Sequence, residues 1–436
     1  MKFIGSRLEI LVSVFFIMAF QGIFWPPNSF ILDPTMPLDA SDPYSASAST
    51  AIIVFLVVAG FARREEVLQL VRPAWPILLL LSLAFVSAFW SDAPLLVLRR
   101  STTLTGTTLF GIYLVARFDM ARLVSMLVKV SAFAAVASFV VMAVIPQFGM
   151  QGGVDYPTAW RGAYTSKNTL GLMSAFGIIV AIYALRNGYG SRLIAAAVIP
   201  ANLALLYLSQ AGTPTVVLLV ALYASLVLMA FHRRDGIGLV TGFALVLVGL
   251  VAIGLIAVGW TEVLAALNRS PTLTGRNRIW RTASMFIAQR PWLGYGYGAF
   301  WRHDGLEAIR FWGILKWLVP HAHNVFLEVG LALGIVGIGA VTLLWLDAFY
   351  RGLRLLTLPQ ARHVVFLLTV FVAILIENLT ENEFFRQNGF LWMFFVTAFV
   401  YLGREALLYR AGRAAAAPAW PRPPIAAIAS PGARSS

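Results

Sequence analysis

Apolar runs of about twenty residues recur along this chain, and they constrain its fold more than any other feature of the sequence. A run of that length is what an α-helix needs to cross the hydrocarbon core of a bilayer. Backbone polar groups cannot stay unpaired in lipid, so the runs should be helices, and their continuity argues against a transmembrane barrel. Only 12% of the residues are charged, against about 25% in soluble domains. The sequence therefore predicts an all-α integral membrane protein.

We expect about twelve membrane-spanning helices. Their predicted positions are 8–24, 48–62, 74–90, 101–116, 123–146, 168–185, 193–208, 214–231, 237–260, 324–350, 363–379 and 389–403. The fourth run is the least typical because it is rich in threonine. The first run follows Lys2 and Arg7, as the apolar part of a signal peptide would, but no small-residue cleavage site follows it. We interpret it as an uncleaved first span.

The distribution of arginine predicts the orientation, because short cytoplasmic loops of membrane proteins are rich in lysine and arginine. Alternate loops and the segment after the last span carry Arg63, Arg64, Arg117, Arg122, Arg186, Arg192, Arg233, Arg234, Arg351, Arg354, Arg362, Arg404, Arg410 and Arg413. The first intervening loop instead holds Asp33, Asp39 and Asp42. This pattern predicts a multi-pass protein of the bacterial inner membrane with both termini in the cytoplasm. Arginine in cytoplasmic loops also accounts for most of the formal charge of +14, so no nucleic-acid partner is expected.

The chain divides into a polytopic membrane domain, residues 1–413, and an Ala/Pro-rich segment, residues 414–436, that is predicted to be a disordered cytoplasmic tail. It contains no cysteine, which excludes disulfides and thiolate metal sites.

One large loop, residues 261–323, breaks the charge pattern, since it lies outside by this topology and is still basic. It holds Arg269, Arg276, Arg278, Arg281, Arg290, Arg302, Arg310 and Lys316, opposed by Glu262, Asp304 and Glu307. Such a loop indicates an anionic ligand; the alternative is a loop that binds lipid headgroups. Apolar spacing predicts a short helix over Asn277 to Phe286, ended by Pro291. In the WLGYGYGAFW segment that follows, the aromatic side chains suit the membrane interface or the face of a sugar.

Two basic clusters border the outer face of the predicted bundle. Arg161 and Lys167 precede the sixth span, at a helix N-terminus that favours anions through its free N–H groups. Arg276 and Arg278 flank the start of the loop helix. Arginine can bind phosphate through two parallel hydrogen bonds, and lysine acts as a point charge. We interpret these cations as converging on one anion; the alternative is that they only reach toward the interface.

A third cluster, the segment PHAHNVFLE, lies where the loop enters the tenth span. An unperturbed histidine side chain titrates near neutral pH and can accept a proton from a hydroxyl, which makes His321 and His323 candidates for a general base. A metal site and a helix-capping role stay open, although we find no third metal ligand of the right kind nearby in the sequence. Downstream, Gly330, Gly334 and Gly337 form one small-residue face that predicts close approach of another helix.

Acidic residues stand at the outer end of the eleventh span, where an ionisable side chain at membrane depth is a functional candidate. Glu377 and Glu381, with Asn378 and Glu383, are expected to pair with the cluster arginines; the alternative is that they receive a proton.

Taken together and in this order, these blocks resemble the O-antigen ligase and polysaccharide polymerase family, especially its exopolysaccharide-polymerase branch. The matching pieces are WRGAYTSKNTLG, LTGRNRIW with PWLGYGYGAF, and HNVFLEVGLALGIVG, and the resemblance is best over residues 155–345. One departure is the turn after the seventh span, Ser209 to Thr213, which lacks the family's basic residue. A phosphate contact is then lost or supplied elsewhere, for which Arg161 is the candidate.

The resemblance implies a GT-C-like membrane glycosyltransferase whose donor is an undecaprenyl-diphosphate-linked glycan. His323 and Arg276 would be catalytic, with His323 taking the proton of the acceptor hydroxyl and Asn324 orienting it. The diphosphate would be bound by Arg161, Lys167 and Arg278. Asn168, His321, Glu377 and Glu381 would support this periplasmic site.

A single displacement would invert the anomeric centre, and we expect neither a metal nor another cofactor. A polymerase would extend another lipid-linked repeat, whereas a ligase would transfer the polymer to lipid A–core. Expected partners are the lipid-linked glycan, an acceptor glycan or lipid, membrane lipids and other polysaccharide export proteins. An alternative of a different class is a flippase or transporter for the lipid-linked glycan, although the charges crowd outside rather than at the midplane.

Overall fold

The computed structural model describes residues 6–23, 50–56, 59, 64–152, 156–233, 235–258, 275–356, 358 and 363–416. Within these ranges the regular secondary structure is helical, and turns and irregular segments connect the helices. The helices are α1 (Ser6–Gln21), α2 (Arg64–Val86), α3 (Pro94–Arg117), α4 (Met120–Val144), α5 (Pro146–Gly149), α6 (Lys167–Asn187), α7 (Arg192–Ser209), α8 (Gly212–Arg233), α9 (Gly236–Val258), α10 (Arg276–Gln289), α11 (Leu306–Leu315), α12 (Val325–Leu356), α13 (Val364–Asn378) and α14 (Phe390–Ala416). A 3-10 turn, Ser87–Phe89, extends α2.

Over the described ranges, eight helical segments are long and apolar enough to cross a membrane, and α13 is a shorter apolar helix. The eight are Arg64–Phe89, Met120–Val144, Lys167–Asn187, Arg192–Ser209, Gly212–Arg233, Gly236–Ile256, Val325–Leu356 and Phe390–Leu407. The prediction of an all-α integral membrane protein is therefore confirmed. The predicted span 48–62 is described only in part, and the predicted tail, residues 414–436, lies almost wholly outside the described residues.

The threonine-rich run at 101–116 lies within α3, a full helix that is less apolar than the eight spans. Threonine fits there because its hydroxyl can hydrogen-bond a carbonyl oxygen one turn back. Thr102 donates to Leu98, Thr105 to Ser101 and Thr108 to Leu104, at 2.8, 2.9 and 2.8 Å.

The centre of the bundle is aromatic, and α14 contributes most of it. Trp392, Phe395 and Phe399 of α14 are fully buried, and Phe395 packs against Trp345 of α12. By contrast, α9 leaves large apolar side chains such as Phe243 and Leu247 exposed. In an integral membrane protein such a surface faces lipid, so α9 lies at the edge of the bundle.

The large loop folds onto the bundle as α10, then the segment 292–301, which is rich in glycine and aromatic residues, and then α11. We call residues 292–301 the glycine-rich segment. The predicted loop helix is α10, which begins after Gly275 and ends before Pro291, as expected. The aromatic side chains of the segment, however, are mostly buried inside the protein. Tyr295, Tyr297 and Phe300 are buried, and Trp292 alone among the aromatics of residues 292–301 is strongly exposed. Tyr295 and Phe300 belong to a second core with residues of α10, α11 and α12, whereas Tyr297 belongs to the main core of the bundle.

Backbone of the glycine-rich segment enters a break in α12. Gly334 has φ +62° and ψ −159°, which interrupts the helix. Loop groups replace the lost helical hydrogen bonds on both sides of the break. The amides of Ile335 and Val336 donate to Pro291 and Trp292, at 2.8 and 3.3 Å, and the amides of Tyr295 and Gly296 donate to Leu331 and Ala332, both at 2.8 Å.

The three-glycine face therefore packs mainly on loop elements. A Cβ on Gly334 would lie 2.3 Å from the carbonyl carbon and oxygen of Trp292, and one on Gly330 would lie 2.7 Å from Ile287 of α10. The predicted close approach of another helix is observed at Gly330, where α10 packs, whereas at Gly334 the backbone of the loop takes that place. The consequence is that the large loop and the start of α12 are fixed to each other.

Candidate functional site

Glu381, just after α13, joins three separate parts of the chain. Its carboxylate accepts hydrogen bonds from the Asn168 amide of α6, at 3.2 Å, and from the Arg276 guanidinium of α10, at 2.5 Å. Its second oxygen lies 2.9 Å from Nδ1 of His323. These side chains are mostly but not fully buried, with His323 23% and Arg276 18% exposed. His323 and Arg276, two of the residues predicted to converge, therefore meet at the carboxylate of Glu381.

His323 occupies a strained backbone conformation, with φ +51°. Such a residue persists only when its surroundings hold it. On one side, Glu328 of α12 accepts hydrogen bonds from the Ala322 amide and from the Trp301 indole, both at 2.8 Å. On the other side stands Glu381.

Asn324, rather than a histidine, caps α12. Its side-chain oxygen accepts from the amides of Phe326 and Leu327, at 3.0 and 3.2 Å. Its amide nitrogen donates to the Leu379 carbonyl at 2.9 Å, which ties the start of α12 to the segment that carries Glu381. Asn324 therefore has a structural role in addition to its predicted role in orienting the acceptor.

Charge and burial act against each other at this site. Burial raises the pKa of the Glu381 carboxyl, but the hydrogen bond with His323 and the charge of Arg276 outweigh it and hold that pKa below its usual value. Glu381 is therefore an anion at neutral pH. Burial, with the neighbouring His323, lowers the pKa of His321 to about 3, so that this imidazole is neutral. Nδ1 of His321 accepts the amide N–H of His323 at 3.2 Å.

Lys167 and Arg161 lie beside this group rather than in it. The Lys167 ammonium donates to the Gln210 carbonyl at 3.1 Å and lies 3.6 Å from the centre of the Tyr156 ring. It therefore reaches the very turn, residues 209–213, that lacks a basic residue of its own. Arg161 instead donates from Nε to the Phe148 carbonyl at 2.8 Å, and burial lowers its pKa. The cation that contacts that turn is therefore Lys167, whereas the side chain of Arg161 bonds the Phe148 carbonyl.

Arg278 makes its contacts with other groups than Glu381. Its guanidinium lies 5.0 Å from the centre of the Trp317 ring and donates to the Leu315 carbonyl at 3.4 Å. The remaining described arginines of the loop are largely neutralised by local carboxylates. Arg290 pairs with Asp92, Arg302 with Asp304, and Arg310 with Glu307. Among the described cations of the loop, this leaves Arg278, Arg281 and Lys316, together with Arg276, whose partner Glu381 lies outside the loop.

The two candidate glutamates differ. Pairing with a cluster arginine is observed for Glu381, but Glu377 is 1% exposed and its Oε2 has no hydrogen-bond partner in the described part of the chain. The prediction that Glu377 pairs with a cluster arginine is therefore wrong. Glu383, which follows, pairs with Arg386.

A third possible metal ligand does exist, contrary to the sequence-based search. Ligand atoms of His321, His323 and Glu381 lie within 4.8 Å of one another. The search missed it because Glu381 is 58 residues from His323 in the chain. Glu328 was missed as well, although its place five residues after His323, at the start of α12, was visible in the sequence.

Comparisons with known proteins agree with the motifs. A family model described as O-antigen ligase matches residues 195–342, which include Arg276, Arg278, His321 and His323. The exopolysaccharide production protein ExoQ of Rhizobium meliloti (strain 1021) is 26% identical over 283 residues, which cover 62% of this chain and 63% of that protein. The match thus spans less than two thirds of the relative's length. Both comparisons confirm that this multi-pass membrane protein resembles the O-antigen ligase and polysaccharide polymerase family.

Proposed function

We propose that the chain is a membrane glycosyltransferase of the inner membrane that polymerises undecaprenyl-diphosphate-linked oligosaccharide repeats into an exopolysaccharide or O-antigen at the periplasmic face. The observation that carries this proposal is the shared carboxylate of Glu381, which brings Asn168, Arg276 and His323 together from distant parts of the chain. A base and cations within one partly open site are what transfer from a diphosphate requires. The similarity to an exopolysaccharide production protein supports the substrate class.

In the proposed reaction His323 is the general base. With Nδ1–H donated to the Glu381 carboxylate, Nε2 keeps its lone pair and can take the proton of the acceptor hydroxyl. That oxygen attacks the anomeric carbon while the bond to the diphosphate breaks, and the diphosphate leaves with the electron pair. One displacement inverts the anomeric centre.

The leaving diphosphate gains negative charge as its bond to the sugar breaks, and preorganised cations stabilise that charge. A guanidinium has five N–H donors, so Arg276 can bind Glu381 and a phosphate oxygen together. Lys167, at the turn that carries Gln210, is the second cation. Arg161 and Arg278 would contact the diphosphate or the sugar from farther out.

This scheme uses no metal, because Arg276 and Lys167 supply the positive charge that an ion would otherwise bring to the diphosphate. A metal ion bound by His321, His323 and Glu381 would compete with the bonds that Asn168, Arg276 and His323 make to the Glu381 carboxylate. We expect EDTA to leave the transfer rate unchanged, and loss of activity that is restored by one divalent metal would contradict the scheme.

The central test replaces His323 by alanine, with His232→Ala as the control. His232 belongs to α8 and its ring bonds the Leu356 carbonyl at the far end of α12. In cells that depend on this protein, H323A should abolish polymer while lipid-linked repeats accumulate on the periplasmic side, and H232A should make polymer normally. Accumulation on the cytoplasmic side would instead show a flippase, and normal polymer in H323A would rule out the enzymatic proposal.

A ligase is the second candidate, and the family model's description favours it. The two are separated by the acceptor. Purified protein is given the lipid-linked repeat alone or with lipid A–core. Products of more than one repeat in the first mixture indicate a polymerase, and a product on lipid A–core alone indicates a ligase. Contact with other export proteins is also part of this proposal.

A further inference from the structure

The partly exposed Trp317 lies beside the candidate site and carries a cation on the face of its ring. Trp317 is 38% exposed, and the guanidinium of Arg278 lies 5.0 Å from the centre of the ring. Arg281 and Lys316 are exposed as well. We infer that these four residues, which we call the basic platform, bind a sugar residue that carries a carboxylate. The inference rests on the proposed function in one respect, since it names the class of glycan that the transfer would use.

The basic platform holds the positive charge of the large loop that no carboxylate of the described chain neutralises. Each of the other described arginines of the loop pairs with a carboxylate. The contacts of Arg278 are with a ring and with the Leu315 carbonyl, and these leave its charge in place. Arg281 and Lys316 form no ion pair with any residue that the structure describes. Three cations without a neighbouring anion favour an anionic ligand.

Helix geometry separates the arginines of the platform from the arginine of the candidate site. Arg278 and Arg281 are three residues apart on α10 and therefore share one of its faces. Arg276 is two residues before Arg278, which turns it by about 200° around the helix axis. Arg276 thus bonds Glu381, while the other face of α10 meets Trp317. The platform is therefore a neighbour of the candidate site and not a part of its hydrogen-bonded group.

The turn that carries Trp317 is held by its own hydrogen bonds. Lys316 ends α11 with φ +70°, and its amide donates to the Trp312 carbonyl at 2.7 Å. The Trp312 indole donates to the Val319 carbonyl at 2.9 Å, which closes the turn from the other side. The Trp317 ring packs at Gly275, where an added Cβ would lie 3.4 Å from it. Gly275 directly precedes Arg276, so the ring is fixed next to the start of the candidate site.

A ring together with cations suits an acidic sugar better than a neutral glycan or a free diphosphate. The C–H groups of a pyranose can pack on the face of an aromatic ring, because that face carries negative charge. A guanidinium stacked on a ring keeps its N–H donors at its edge, and paired donors match the two oxygens of a carboxylate. A neutral glycan would leave the cations without a partner, and a diphosphate would leave the ring without one.

The experiment uses the full chain in a neutral detergent, without any lipid-linked donor, and measures binding by isothermal titration calorimetry. The probes are hexagalacturonate, which carries a carboxylate on each sugar, and the neutral cellohexaose. We expect hexagalacturonate to bind about tenfold more tightly than cellohexaose. The double variant Arg281→Gln/Lys316→Gln should bind hexagalacturonate about tenfold more weakly than the unmodified chain. The charge-matched control is Arg122→Gln/Arg192→Gln, two exposed arginines outside the loop, which should bind it as the unmodified chain does.

The ring is tested separately from the charge. Trp317→Ala should weaken the binding of hexagalacturonate, whereas Trp317→Phe, which keeps an aromatic face, should retain most of it. The control for the ring is Trp292→Ala, since Trp292 is 70% exposed in the same loop, and it should bind normally.

Four results would each overturn the inference. They are equal binding of the two hexasaccharides, equal weakening by the two double variants, equal weakening by W317A and W292A, and displacement of hexagalacturonate by an equal concentration of pyrophosphate or phosphatidylglycerol. Displacement by phosphatidylglycerol would show a surface for lipid headgroups instead. Because no donor is present, these results do not depend on transfer. Failure of binding therefore leaves the proposed transfer standing, and normal polymer in H323A would refute the transfer without changing the binding.

Discussion

Replacing Gly334 by alanine tests whether the large loop is locked into the break of α12. The added Cβ would lie 2.3 Å from the backbone of Trp292, and φ +62° with ψ −159° is a conformation that L-residues rarely adopt. Backbone atoms cannot swing aside as a long side chain can, so the loop must move away from the helix. The matched control is Gly339→Ala, five residues later on the same helix, where an added Cβ meets nothing within 4 Å.

The cost has two parts. Holding a non-glycine residue in so rare a conformation costs about 1–3 kcal/mol. Moving the loop breaks the nearest pair of hydrogen bonds, from Ile335 to Pro291 and from Val336 to Trp292. Each contributes about 0.5–1.5 kcal/mol. We therefore expect G334A to lower the free energy of unfolding by roughly 2–6 kcal/mol, while G339A leaves it unchanged or raises it slightly, since alanine favours a helix.

Thermal unfolding in detergent measures the stability, and hydrogen exchange reports the loop. In G334A the Tyr295 and Gly296 amides, which donate to Leu331 and Ala332, should exchange faster than in G339A. If both variants melted at the same temperature with the same exchange of these amides, the loop would not depend on the break, and our account of this glycine would be refuted.

Three further predictions concern the site. Glu328→Ala leaves two buried donors unpaired, at about 1–3 kcal/mol each, and should lower the free energy of unfolding by roughly 2–6 kcal/mol. Glu307→Ala, in an exposed pair, should lower it by at most about 1 kcal/mol; equal losses in thermal unfolding would exclude the positioning role. Glu381→Gln should lower kcat for the proposed transfer at least about tenfold, and Glu383→Gln, which alters the neighbouring pair, should not; an active E381Q would argue against Glu381 as the partner of the base. In metal-free buffer, the free energy of unfolding should fall as the pH drops from 6.5, the ordinary pKa of histidine, toward about 3, the pKa of His321 in the folded chain, because the unfolded chain then binds a proton that the folded chain excludes. The free energy of unfolding of H321F should fall less steeply with pH, and an unchanged slope would contradict the assignment.

Some features of the site could be predicted from local sequence. The loop helix was placed to within three residues at each end, because its apolar spacing and the following proline act locally. His323, Arg276 and Asn168 were singled out because each belongs to a short motif. Glu381 was singled out for its depth alone, and nothing local to it indicated that these three side chains meet on its carboxylate.

Other predictions failed where a residue's partner is distant in sequence. Gly334 was expected to face a helix, but its partner is loop backbone about forty residues earlier, which reaches it only after the loop folds back. Tyr295 and Phe300 were assigned to a surface because aromatic and glycine residues occur both at interfaces and in small cores. Composition does not separate those cases, since burial is a property of the packed elements.

By itself the sequence determined that this chain spans the membrane as helices, because the length and apolarity of each run decide that within about twenty residues. It also determined which short segments carry cations and imidazoles. Only the tertiary structure decided that Glu381 gathers Asn168, Arg276 and His323, and that Lys167 serves the turn at Gln210. The physical reason is that a hydrogen bond or ion pair forms over about 3 Å between groups that the chain separates by tens or hundreds of residues.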